Sequence, residues 1–90
     1  MAPKFSLGQI ATTPGALEMQ DRYGLQLGAY LGRHSRGDWG DLDKEDRAEN
    51  ELSLKEGYRL LSAYNTPAGK LWIITEADRS STTCLLPEEY

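Results

Sequence analysis

The chain has 90 residues, 39% of them apolar and 27% charged, and 10 Lys and Arg against 14 Asp and Glu give a formal charge of −4. Its longest apolar run covers only residues 71–74, far below the roughly 18 residues that span a bilayer, so no transmembrane helix and no membrane partner are expected. The start of the chain has one Lys and is broken by Ser6, Gly8 and Gln9, which does not read as a secretory signal and makes a cytoplasmic location the expectation. A single Cys84 and a single His34 exclude an internal disulfide and a Cys/His structural zinc site, and no cofactor or metal is expected.

In chain order, residues 4–10 read as a first strand, with Phe5 and Leu7 on one side and Gly8 as a weak point. Thr13 before Pro14 starts a helix over residues 14–23, because the hydroxyl accepts an orphan amide bond and proline has no amide to waste. Gly24 closes it in the left-handed conformation. A second helix is predicted over residues 25–33, with Leu27, Tyr30 and Leu31 as its apolar face. Trp39, between Gly37-Asp38 and Gly40-Asp41, reads as a loop pinned to the core by an aromatic ring.

Asp43 is the N-cap of a third helix, acids at Glu45 and Asp46 fill its first turn, and Gly57 follows its end at Glu56. Ala48 and Leu52, helped by Leu42, form the apolar stripe expected to face the core, and Glu51 and Lys55 stand four apart as an exposed pair. Strands are predicted at residues 58–64, 71–76 and 82–86, joined by the turn-rich segments 65–69 and 77–80 into an antiparallel meander. Residues 71–74 are apolar on both faces, as in a central strand covered by helices on one side and by a partner or the N-terminus on the other. The whole is one α+β domain over residues 1–90, with two or three helices on an antiparallel sheet of three or four strands.

Charge is unevenly placed. Residues 1–37 sum to +2, residues 38–56 to −5 and the remainder to −1, so the acidic excess belongs to the third helix and the loop before it. A row of carboxylates on a small scaffold can imitate a phosphate backbone and attract basic grooves. Under that reading Asp43, Glu45, Asp46 and Glu49 supply steering and rim contacts, with Trp39 as an anchor if exposed. The plainer alternative is a solvated helix face.

His34 titrates nearest neutrality and is the natural candidate acid or base, although a histidine at a helix end also serves simply as a terminal cation. Arg79 could grip a phosphate while Thr82 or Thr83 holds another oxygen; the alternative is an ordinary hairpin turn followed by strand threonines. Cys84, alternating along a buried strand without a basic neighbour, reads as inert core. Neither G-x-x-x-x-G-K-[ST] nor G-x-G-x-x-G occurs, and basic residues interleaved with aromatics are missing.

The segments Gly37-Asp-Trp-Gly-Asp41, Leu61-Ser-Ala-Tyr64, Leu71-Trp-Ile-Ile-Thr-Glu-Ala-Asp-Arg79 and Leu85-Leu-Pro-Glu-Glu-Tyr90 resemble a family of small plasmid-related proteins of proteobacteria. The likeness runs from Phe5-Ser-Leu-Gly8 and Thr13-Pro-Gly-Ala16 to the C-terminus. It implies a mobile-element setting, in which short acidic proteins often inhibit host defences of the CRISPR or restriction type. A looser resemblance is to the barnase, EndoU, colicin and RelE group of ribonucleases and toxins. It implies His34 as acid/base, Arg79 as phosphate clamp and Thr83 or Thr82 as orienting hydroxyl, with RNA as substrate. The basic excess of RelE-like toxins and a second basic catalytic residue are missing.

The expected function is therefore binding to a protein complex with a basic surface, a defence effector or nucleic-acid enzyme. The alternative is a metal-independent ribonuclease. A third possibility is a homodimer, signalled by a sheet face left uncovered in the monomer.

Overall fold

In the computed structural model, which describes residues 2–90, the elements follow as β1 (Gln9–Thr12), α1 (Pro14–Tyr23), α2 (Leu27–Ser35), α3 (Lys44–Glu56), β2 (Leu60–Thr66), β3 (Gly69–Thr75) and β4 (Ser81–Leu85). A short 3-10 turn at Pro87–Glu89 ends the chain. The caps are those the sequence announces: the Thr13 hydroxyl accepts from the Ala16 amide, the Asp43 carboxylate accepts from the Asp46 amide, and Gly24 and Gly57 take left-handed conformations. Two or three helices on a sheet of three or four strands become three helices and four strands.

The predicted meander of β2, β3 and β4 forms, in register from Leu60 opposite Thr75 to Thr66 opposite Gly69. The departure is β1, which joins β4 in parallel, so the sheet is mixed, in the order β1-β4-β3-β2. Strand pairing also starts later than expected. Gly8 has φ +64° and lies so close to the Ser80 carbonyl that any Cβ would collide with it. The chain turns there, leaving Phe5 and Leu7 in an extended arm rather than in the sheet.

Alternation along the strands sets two unlike faces. Tyr64, Leu71, Ile73 and Cys84 point toward Ala16 and Met19 of α1 and Leu27 of α2, which make the core. On the reverse side Ile74 and Leu85 are also buried, and the C-terminal turn packs against β3, where the Tyr90 ring meets Trp72 edge-on at 5.6 Å. The second cover over β3 is thus the chain's own C-terminus. Glu89 ties that turn to α1, accepting from the Thr13 hydroxyl at 2.5 Å and from the Gly15 amide at 2.9 Å.

The third helix sits differently from expectation. Ala48 is exposed and Leu52 is 54% exposed, while Asn50 and Ser53 are the residues α3 buries. The reason lies in what the helix packs against: it runs beside the outer edge of β2, where unpaired backbone groups need polar partners. The Asn50 amide donates to the Leu61 carbonyl at 2.5 Å and its oxygen accepts from the Leu61 amide at 3.1 Å. Further along the same edge, the Ala63 amide donates to the Trp39 carbonyl and the Asp41 amide to the Ala63 carbonyl. The Asn65 amide then donates to the Asp41 carboxylate at 2.8 Å. Gly40, φ +77°, is required in this bridge because a Cβ would strike the Ala63 carbonyl and the Tyr64 ring.

Candidate functional site

His34 is fully buried. Its Nδ1 lies 2.5 Å from the Ser62 hydroxyl and its Nε2 2.8 Å from the Thr75 hydroxyl, which meets Thr82 at 2.7 Å. Thr82 donates onward to the Leu7 carbonyl at 2.7 Å. The Phe5 and Trp39 rings stand edge-on to the imidazole at 5.2 and 5.8 Å, closing it from solvent. Burial, reinforced by the nearby Arg79 cation, pushes the imidazole pKa down to about 4, so it is neutral at physiological pH.

Arg79 lies close by but is spent on structure. One terminal nitrogen donates to the Tyr58, Glu76 and Ala77 carbonyls at 2.7, 3.0 and 3.3 Å, and the other to the Ser53 carbonyl at 3.1 Å. Its guanidinium also lies 5.6 Å from the centre of the Phe5 ring. The cation therefore ties the Ser53 carbonyl of α3 and the Tyr58 carbonyl beyond it to the β3–β4 turn and braces the arm over His34. Its φ of +62° fits the turn, in which the Asp78 carboxylate accepts from the Ser80 amide at 3.0 Å.

Thr83 alternates with Thr82 and points to the opposite sheet face, away from His34. The trio of His34, Arg79 and Thr83 thus shares no solvent-filled cleft, and a general acid or base must reach the proton it moves. Thr82, the other hydroxyl considered, does join His34 through Thr75, but inside the core.

Trp39 is 3% exposed, and its indole N–H donates to the Glu51 carboxylate at 2.6 Å. It is a core pin and not an exposed anchor. Glu51 is accordingly engaged with the indole, and no Glu51–Lys55 ion pair is among the salt bridges of the described residues.

The acids of α3 lie in the open. Glu45, Asp46, Glu49 and Glu56 are all exposed, as is Asp43 at the cap. At about 100° per residue, Glu45, Glu49 and Glu56 fall on one flank with Leu52 at its border, Asp46 falls at the open start of the face that carries Asn50 and Ser53, and Lys44, Arg47 and Lys55 fall on the other flank with Glu51. Among the described residues the ion pairs are Arg22 with Glu18, Arg33 with Asp38 and Arg59 with Glu76, none of which touches this acidic flank. Glu45 and Glu49, four apart, form a like-charge pair that isolated helices disfavour.

A cleft of about 590 Å³ opens elsewhere, between the α1–α2 connection and the β2–β3 hairpin, walled by Tyr23, Leu25, Tyr30 and Pro67. Its Arg33 is held by Asp38 at 2.7 Å and stacked 4.6 Å from the centre of Tyr64. Asp38 holds the Arg33 pKa above its ordinary value and is itself held below the usual carboxylate range by the same bond. Among the described residues no helix is long and apolar enough to cross a membrane, and no three His, Cys, Asp or Glu side chains gather as metal ligands. Comparison with protein-family models, curated proteins and solved structures gives no match.

Sequence reasoning missed Ser62 and Thr75 as the partners of His34, and Asn50 as the clamp on β2. For Asn50 a signal was present: a helix with a thin apolar stripe carries an amide and a hydroxyl three apart, Asn50 and Ser53, on a single face.

Proposed function

We propose that this is a binding protein that docks through the acidic flank of α3 onto a positively charged surface of a nucleic-acid-processing complex and thereby inhibits or modulates it. The observation that carries the reading is the segregation of charge on α3, with one flank of carboxylates unpaired by any cation among the described residues. A helix tuned for stability alone gains by mixing signs at i and i+4, so an unbalanced flank is better explained by an outside partner. Glu45, Asp46, Glu49 and Glu56 supply the field, and Leu52 at the border supplies an apolar contact. Asp43 contributes charge while it caps the helix.

The resemblance to plasmid-related proteins narrows the partner to a host defence complex of the CRISPR or restriction type, met in the cytoplasm. Trp39 takes no part in the contact and instead fixes α3 through Glu51. The ribonuclease alternative gains no support from a buried, neutral His34 and an Arg79 committed to carbonyls.

The test is affinity capture with the tagged protein and with a Glu45→Lys/Glu49→Lys/Glu56→Lys variant. The wild type is expected to retain a nucleic-acid-processing complex whose yield falls steeply with salt, and the variant to lose it. Equal capture by both, or capture indifferent to salt, would reject the docking flank.

A further inference from the structure

The two edges of the sheet are treated in opposite ways. On β2 the outward N–H and C=O of Leu61 and of Ala63 and the N–H of Asn65 are engaged by Asn50, the Trp39 carbonyl and Asp41. At the other edge stands β1, whose four residues are all exposed. The amides of Gln9 and Thr13 donate inward to the Ser80 and Cys84 carbonyls. By strand alternation the N–H and C=O of Ile10 and Thr12 therefore point outward, and no hydrogen bond among the described residues engages them.

Edges are ordinarily blunted by charge, proline, bulges or a cover, and Gln-Ile-Ala-Thr carries no charge and no proline. Ile10 is 47% exposed on it. From this contrast we infer that β1 is a self-association edge, at which a second copy of this chain adds its own β1 antiparallel about a two-fold axis through Ala11.

The register follows from which groups point outward. Ile10 exchanges both backbone hydrogen bonds with Thr12 of the second copy, and Thr12 does the same with its Ile10. Ala11 faces its own counterpart as the close, non-hydrogen-bonded pair, where a small side chain suits the short Cα separation. An uncharged strand meets itself without the like-charge penalty that would oppose most self-pairings. The joined sheet has eight strands, and its only remaining edges are the two β2 edges, both already sheathed. A second copy thus leaves no bare edge, which an added peptide of another protein would not guarantee. Both α3 helices stay free at the far ends, beyond outer strands about 34 Å apart at the usual strand spacing.

The interface is small, so the dissociation constant is expected on the order of 0.1 mM. The test combines sedimentation equilibrium on the full chain with two variants. Ile10→Pro removes an outward N–H that has no partner within the monomer, a place where an edge strand tolerates proline, and is expected to weaken dimerisation at least about tenfold. Circular dichroism checks that this variant remains folded, and Ile10→Lys, which brings like charges to the pairing, replaces it if not.

Ala11→Cys is expected to link to its counterpart on mild oxidation, whereas Gln9→Cys, off the axis, does not. A wild type that stays monomeric to about 1 mM overturns the inference, whatever it does with peptides of other proteins. So does a dimer that survives Ile10→Pro and Ile10→Lys unchanged, which would place the contact on the Trp72 face. Neither result bears on the α3 flank, whose test reads a different surface.

Discussion

Acidification should destabilise this domain through one side chain. His34 is held neutral in the core with its pKa depressed to about 4, against an ordinary 6.5 in the unfolded chain. Between those values the unfolded state binds the proton and the folded state refuses it, so stability is complete above about pH 6.5 and falls as the pH drops toward 4. At about 1.4 kcal/mol per unit, the full loss is about 3 kcal/mol, of which about 2.5 is spent by pH 4.5. A small domain has only about 5 to 15 kcal/mol in total, so the effect is large.

The depressed carboxylates of Asp38, Asp78 and Glu89 have the opposite reference: their contributions are present above their unfolded values near 4 and disappear only below them. The window from pH 4.5 to 6.5 therefore belongs to His34. Urea unfolding followed by the fluorescence of Trp39, which stands edge-on to the imidazole, measures it directly. A flat stability across that window would refute the reasoning. So would an unchanged slope in a folded His34→Gln variant.

Other consequences follow from the contacts around the site. Asn50→Ala removes both bonds that sheath Leu61 and should cost about 2 kcal/mol in urea unfolding, while Glu49→Ala, exposed on the same helix, should change stability by less than about 0.5. Gly40→Ala forces a Cβ against the Ala63 carbonyl in a left-handed backbone and should lower stability by about 2 kcal/mol or more, read as a fall in melting temperature. Burial raises the Cys84 thiol to about 11, so a thiol reagent at pH 8 should label the native protein only at the rate of global unfolding and label it at once in urea.

Much of the fold was legible because local signals and burial agreed. Thr13-Pro14, Gly24, Asp43 and Gly57 marked helix ends by chemistry that acts within a few residues, and the structure uses each one. The continuous apolar run of residues 71–74 marked a central strand for the same reason. What stayed hidden was set by distant partners. Nothing near Gln9 tells that it pairs with β4 in parallel, because that register is fixed by Gly8 seating under the Ser80 carbonyl.

The facing of α3 was misread since an apolar stripe is a signal for packing on a sheet face, and this helix serves a sheet edge, where Asn50 is worth more than Leu52. The buried state of Trp39 was legible in its glycine-flanked loop, but its bond to Glu51 was not. For His34, the sequence offered a helix end and therefore a terminal cation. Its sealing by Phe5, Trp39, Ser62 and Thr75 required the arm, the loop and two strands to be in place at once.

The central claim, that the carboxylate flank of α3 meets a cationic partner, is tested most directly by the affinity of the captured complex as a function of ionic strength. The wild type should bind more weakly as salt rises, and Glu45→Lys/Glu49→Lys/Glu56→Lys should bind at least about tenfold more weakly at low salt, with the two curves converging at high salt while both proteins melt alike. Superimposable curves for the two proteins would contradict the account.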